Sequence, residues 1–74
     1  MVEQVLVDSK LQDYAKAYSA MEPEQAAKIF ENMTSDLDLA AKILYQMSAA
    51  DRGNILGVMD PEVAARVTRI MDPD

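Results

Sequence analysis

Carboxylates recur along this chain in pairs two residues apart: Glu22/Glu24, Asp36/Asp38, Asp60/Glu62 and Asp72/Asp74. Hard oxygen ligands of this kind suit Mg2+ or Ca2+, and Asp36, Asp38, Asp60 and Glu62 are the candidates for such an ion. A positional reading competes with this one. Acids belong in the first turn of a helix, where free amides and the positive end of the helix dipole stabilise them. Two side chains at i and i+2 of a first turn point in different directions, and no EF-hand spacing is present. The pattern therefore favours helix starts, and no cofactor is expected from it. Loose divalent binding between neighbouring segments is the alternative.

Other chemistry is thinner. The 74 residues include no Cys and no His, which removes thiolate and imidazole ligands, cysteine nucleophiles and the usual general base. Paired carboxylates alone can serve as acid and base. Here they come without a phosphate loop, and Ser, Tyr and Lys stand in no arrangement that activates a nucleophile. The chain is not expected to be an enzyme. Thirteen acidic against seven basic residues give a net charge of −6. The bases are scattered, so nucleic acid is not an expected partner. No run approaches the ~20 apolar residues of a membrane span, and the first residues lack the basic and apolar regions of a secretory signal.

Three cations do recur in place. Lys28, Lys42 and Arg66 follow a pair of alanines at one equivalent position, with Asn54 in the corresponding place of another segment. Such a row either faces solvent or meets an acidic or helical protein partner. Thr34 and Ser35 join this candidate surface for a separate reason, set by the spacing of the methionines.

Met21, Met33, Met47, Met59 and Met71 follow one another at intervals of 12, 14, 12 and 12 residues. The text between them repeats, with Ala26-Ala27, Ala40-Ala41 and Ala64-Ala65 at one place and Arg52-Gly53 in the third unit. A repeat this short is one helix and a turn, stabilised by stacking on its neighbours. The 14-residue interval carries two extra residues around Thr34-Ser35. Soft thioether sulfurs also suit copper, but each follows an Ile-Leu-type pair by one turn, the place where a flexible side chain fills the corner between helices.

The helix starts have their own signals. Pro23 and Pro61 suit a first helical position, Asp60 offers a carboxylate cap, and Ser48/Asp51 and Ser35/Asp38 resemble capping boxes. Ser9 is the expected cap of a leading helix. Period-two alternation is absent. The expected fold is all-α: a compact right-handed array, or superhelix, of about five short helices at roughly 10–20, 23–32, 36–46, 49–58 and 61–71. Residues 1–9 are expected to be a flexible or upstream-helix extension, and 10–74 a single domain. Without staples, a domain of this size is stable by roughly 3–5 kcal/mol.

The unit Met-x-Pro-Glu-x-Ala-Ala-(Lys/Arg)-(Ile/Val), at Met21–Ile29 and again at Met59–Val67, resembles the helical repeat of the N-terminal intracellular domain of MgtE-type magnesium transporters. The stretches Tyr14–Glu24 and Met59–Met71 are similar to the C-terminal domain of MotE/YlxF-type flagellar motility proteins, with the rotor protein FliG a more distant architectural relative. The resemblance implies a non-catalytic protein-interaction module. On the motility side it implies a chaperone-like role and a flagellar partner. A membrane anchor or periplasmic location and a dimer formed by an upstream coiled coil would accompany that role. The alternative is a cytoplasmic, Mg2+-sensing regulatory domain of a magnesium transporter. The ending at Met71-Asp-Pro-Asp inclines the sequence reading toward the motility family.

Overall fold

The computed structural model describes the backbone of residues 2–72 and the side chains of residues 9–72. Five helices account for the regular structure among them: α1 (Val2–Ala20), α2 (Pro23–Glu31), α3 (Leu37–Tyr45), α4 (Ala49–Leu56) and α5 (Pro61–Met71). No strand interrupts them, in keeping with the missing period-two alternation. The last four helices coincide with the repeat units to within a residue or two at each end.

The corners between helices share one closure. The amide of Met21 donates to the Tyr18 carbonyl, Met33 to Phe30, Met47 to Leu44 and Met59 to Leu56, at 3.1 to 3.2 Å. Each methionine therefore marks the residue where the chain leaves its helix with a tightened i→i−3 turn. Met47 and Met59 are buried at 5% exposure, and Met21, Met33 and Met71 pack half-buried against the core. For Met21, Met33, Met47 and Met59, which sit at corners between helices, the expected corner-filling role is borne out by that burial.

Two of the expected caps are replaced. Asp60 precedes α5 with φ −54° and ψ 126°, and its carboxylate makes no cap hydrogen bond. Ser35 does not cap α3 either: the start moves on by one residue, Asp36 becomes the residue before the helix, and its side chain also makes no cap bond. The reason is the longer second unit. Its two extra residues close a turn of their own, with the Asp36 amide donating to the Met33 carbonyl at 3.0 Å. Ser48 does cap α4, accepting from the Asp51 amide at 3.2 Å.

At the amino end, α1 runs through Asp8-Ser9 without a break, where a start at Ser9 was expected. Ser9 is exposed, and a solvated serine inside a helix costs only a fraction of a kcal/mol in propensity. That is too little to stop a helix already propagating. Met1 and the side chains of residues 2–8, which bear on the expected extension at 1–9, lie outside the described residues.

Packing follows a second-neighbour rule. Helix α3 lies against α1 and α5, α2 lies against α4, and α1 also touches α2. Helices of eight to eleven residues are unstable alone, so this contact is what holds them. The core threads through all five: Leu11 and Ala15, then Ala26, Ala27 and Phe30, then Ala40, Ala41, Ile43 and Leu44, then Ile55, and Val67. The paired alanines of α2 and α3 are at most 1% exposed, because small side chains let helix axes approach closely. Tyr18 of α1 lies against Phe30 of α2 with ring centroids 4.8 Å apart and planes tilted by 47°.

Candidate functional site

The helix starts hold the candidate carboxylates, and they are built in two ways. Pro23 and Pro61 occupy the first turn of α2 and α5, where their missing N–H costs nothing. Helix α3 begins from Asp36 after the closed turn, with Asp38 in its first turn. Asp36, Asp38, Asp60 and Glu62 are all exposed. The described residues include no group of three or more acidic side chains placed to hold one metal ion. The four candidates are thus carboxylates open to solvent, ordered along the starts of α3 and α5, and not a closed cage.

One acidic residue absent from the sequence-based candidates stands at this surface. The Glu31 carboxylate, at the end of α2, accepts a hydrogen bond from the Asp60 amide at 2.7 Å. That bond spans 29 residues of sequence and ties the end of α2 to the start of α5. A carboxylate on the amide preceding a helix is a short, charge-assisted contact, and it supplies negative charge at the α5 amino end, where the Asp60 side chain was expected to do so. No local spacing signals it, since the partners come from separate repeats.

The cation row is also exposed. Lys28, Lys42 and Arg66 all face solvent, at equivalent positions of α2, α3 and α5. Thr34 and Ser35 are exposed in the turn between α2 and α3. Arg66 lines a shallow depression of about 280 Å³ on α5 together with Glu62, Ala65 and Arg69. A larger open groove of about 530 Å³ lies between α1 and the corner of α3 and α4, walled by Gln12, Lys16, Ser19, Gln46, Met47 and Asp51 among others. Its polar groups are those of ordinary surface side chains, and Ser48 at its edge is engaged as a helix cap.

The third repeat replaces Ala-Ala by Arg52-Gly53, and the structure gives that departure a purpose. The Arg52 guanidinium donates from Nε to the Leu44 carbonyl at 2.8 Å. Its Nη2 donates to Tyr45 at 3.1 Å and to Met47 at 2.8 Å. These carbonyls belong to the last turn of α3 and the corner after it, which have no intrahelical donors. The guanidinium also lies 5.9 Å from the centroid of the Tyr45 ring. Helix α4 is therefore anchored by charge and hydrogen bonds where α2 and α3 are anchored by buried alanines. None of the described polar or charged residues is buried, and Arg52 does this while partly exposed.

The surface thus presents exposed carboxylates at the starts of α3 and α5 and exposed cations at Lys28, Lys42 and Arg66. Compared with known proteins, the chain matches the family model of the MgtE intracellular N domain over residues 2–74. No curated protein and no solved structure matches it.

Proposed function

This chain belongs to the MgtE intracellular N domain family, and on that premise we propose that it is a Mg2+-responsive regulatory domain of a magnesium transporter, acting without catalysis. The family match over residues 2–74 carries the reading. The flagellar, chaperone-like role suggested by the ends of the repeat array finds no support in the comparisons and is not carried forward.

The donor set fits the ion. Mg2+ is hard, dehydrates reluctantly and is commonly held through one or two carboxylates with several retained waters. Asp36, Asp38, Asp60 and Glu62 are hard, exposed oxygen donors, and that is all such a contact requires. Among the described residues no three acids are grouped to hold one ion, so on this reading these carboxylates hold it weakly by themselves. A tight site then needs donors from a second surface facing α3 and α5. The ion supplies positive charge between that surface and a domain of net charge −6, so the domain docks at high Mg2+ and is repelled at low Mg2+.

Amide shifts followed during a Mg2+ titration test this reading. At about millimolar Mg2+, the range of sites with few ligands, saturable shifts are expected at residues 36, 38, 60 and 62. Asp36→Asn and Asp60→Asn should each remove the local part of the response. Shifts that only drift uniformly, and that NaCl of equal ionic strength reproduces, would sink the proposal.

A further inference from the structure

We infer that the outer face of α5 docks a second copy of this chain, antiparallel, across a twofold axis. Glu62, Ala65, Arg66 and Arg69 stand at i, i+3, i+4 and i+7 and so share one face of the helix. They line a single shallow depression. Glu62, Arg66 and Arg69 are exposed and Ala65 is half-buried, while Val67 on the other side of α5 is fully buried in the core. The face is therefore presented away from the domain.

Its charge order selects the occupant. The stripe opens with an acid, has a small residue at its middle and closes with two bases. Turned end for end on itself it is self-complementary: Glu62 meets the partner's Arg69, and Ala65 meets the partner's Arg66. Laid parallel, the same stripe sets Glu62 against Glu62 and Arg69 against Arg69, which is repulsive. A contact in which residue i meets j and j meets i is the signature of a twofold pair. Ala65 allows the close approach. Its register-equivalents Ala27 and Ala41 are each 1% exposed beneath neighbouring helices, whereas Ala65 is only partly covered. One face of an eleven-residue helix is about 16 Å long and buries less than the ~800 Å² per partner of a stable interface. The association is accordingly weak, with a dissociation constant on the order of 0.1–1 mM.

Sedimentation equilibrium of the full chain, in EDTA so that Mg2+ binding plays no part, tests the contact. The average mass should climb from 8.2 kDa toward twice that value as concentration passes through the millimolar range. Glu62→Arg alone and Arg69→Glu alone should each weaken self-association by about tenfold. An equimolar mixture of the two variants should restore it, since each copy then supplies the charge that the other lacks. Lys10→Glu, exposed on α1, should leave association unchanged, and matching thermal melts establish that the variants fold. A mass that stays at that of one chain up to about 1 mM overturns the inference. So does association that survives both single variants, or that the mixture fails to restore.

Discussion

Arg52 shows how one residue can replace a packing motif. Where α2 and α3 bury an alanine pair, α4 offers a guanidinium with three hydrogen bonds to the carbonyls of Leu44, Tyr45 and Met47. Hydrogen bonds to charged groups contribute about 1.5–3 kcal/mol, discounted here because the site is partly open to water. Arg52→Ala should lower unfolding stability by about 2 kcal/mol, read as a fall in the urea midpoint. Arg52→Lys should recover only part of that loss, because an ammonium cannot span three carbonyls as a planar fork does. The departure from Ala-Ala is visible in the sequence, but its partners are not. They lie five to eight residues away, across a corner whose angle no local rule sets. For the same reason the Glu31 contact with the Asp60 amide escaped sequence reading while Asp60 itself was singled out.

At the level of elements, the helix count and nearly all boundaries were legible, because Pro23, Pro61 and Ser48 punctuate the chain and the apolar residues keep helical spacing between them. What was hidden is the length of α1. Asp8 and Ser9 are common helix starters, yet their local preference is small beside the gain from continuing a helix. The acidic helix starts were also legible, although it was not legible that Asp36 would take the place of Ser35 before α3, or that neither Asp36 nor Asp60 would cap its helix with its side chain. Whether a carboxylate turns back onto its own helix depends on the preceding turn, which the two extra residues at Thr34-Ser35 alter. Gly53 is the weak point among the elements. A Cβ built there meets no atom within 4 Å, and the residue is exposed inside a helix of eight residues. Gly53→Ala should stabilise the domain by roughly 1 kcal/mol, seen as a higher thermal midpoint with unchanged amide shifts in α1.

Across the whole molecule, repeats have condensed into one body. The radius of gyration is 11.7 Å, close to the ~11 Å expected of a compact chain of this length. Phe30 is 0% exposed and is the only phenylalanine, so the core has little aromatic volume in reserve. Phe30→Ala should cost about 3–5 kcal/mol, comparable to the whole stability of so small a domain. A broad, non-cooperative melt by circular dichroism is the expected outcome. The second-neighbour packing was not legible, because periodicity reports which face of a helix is buried and not which helix covers it. The methionine corners carry a last consequence, one of redox chemistry. Met21, Met33 and Met71 remain partly accessible, whereas Met47 and Met59 are almost sealed. Peroxide therefore reaches the first three in the folded chain, turning apolar plugs into polar sulfoxides. The other two are reached only when a corner opens, so their oxidation rate is a built-in clock for how often this domain comes apart.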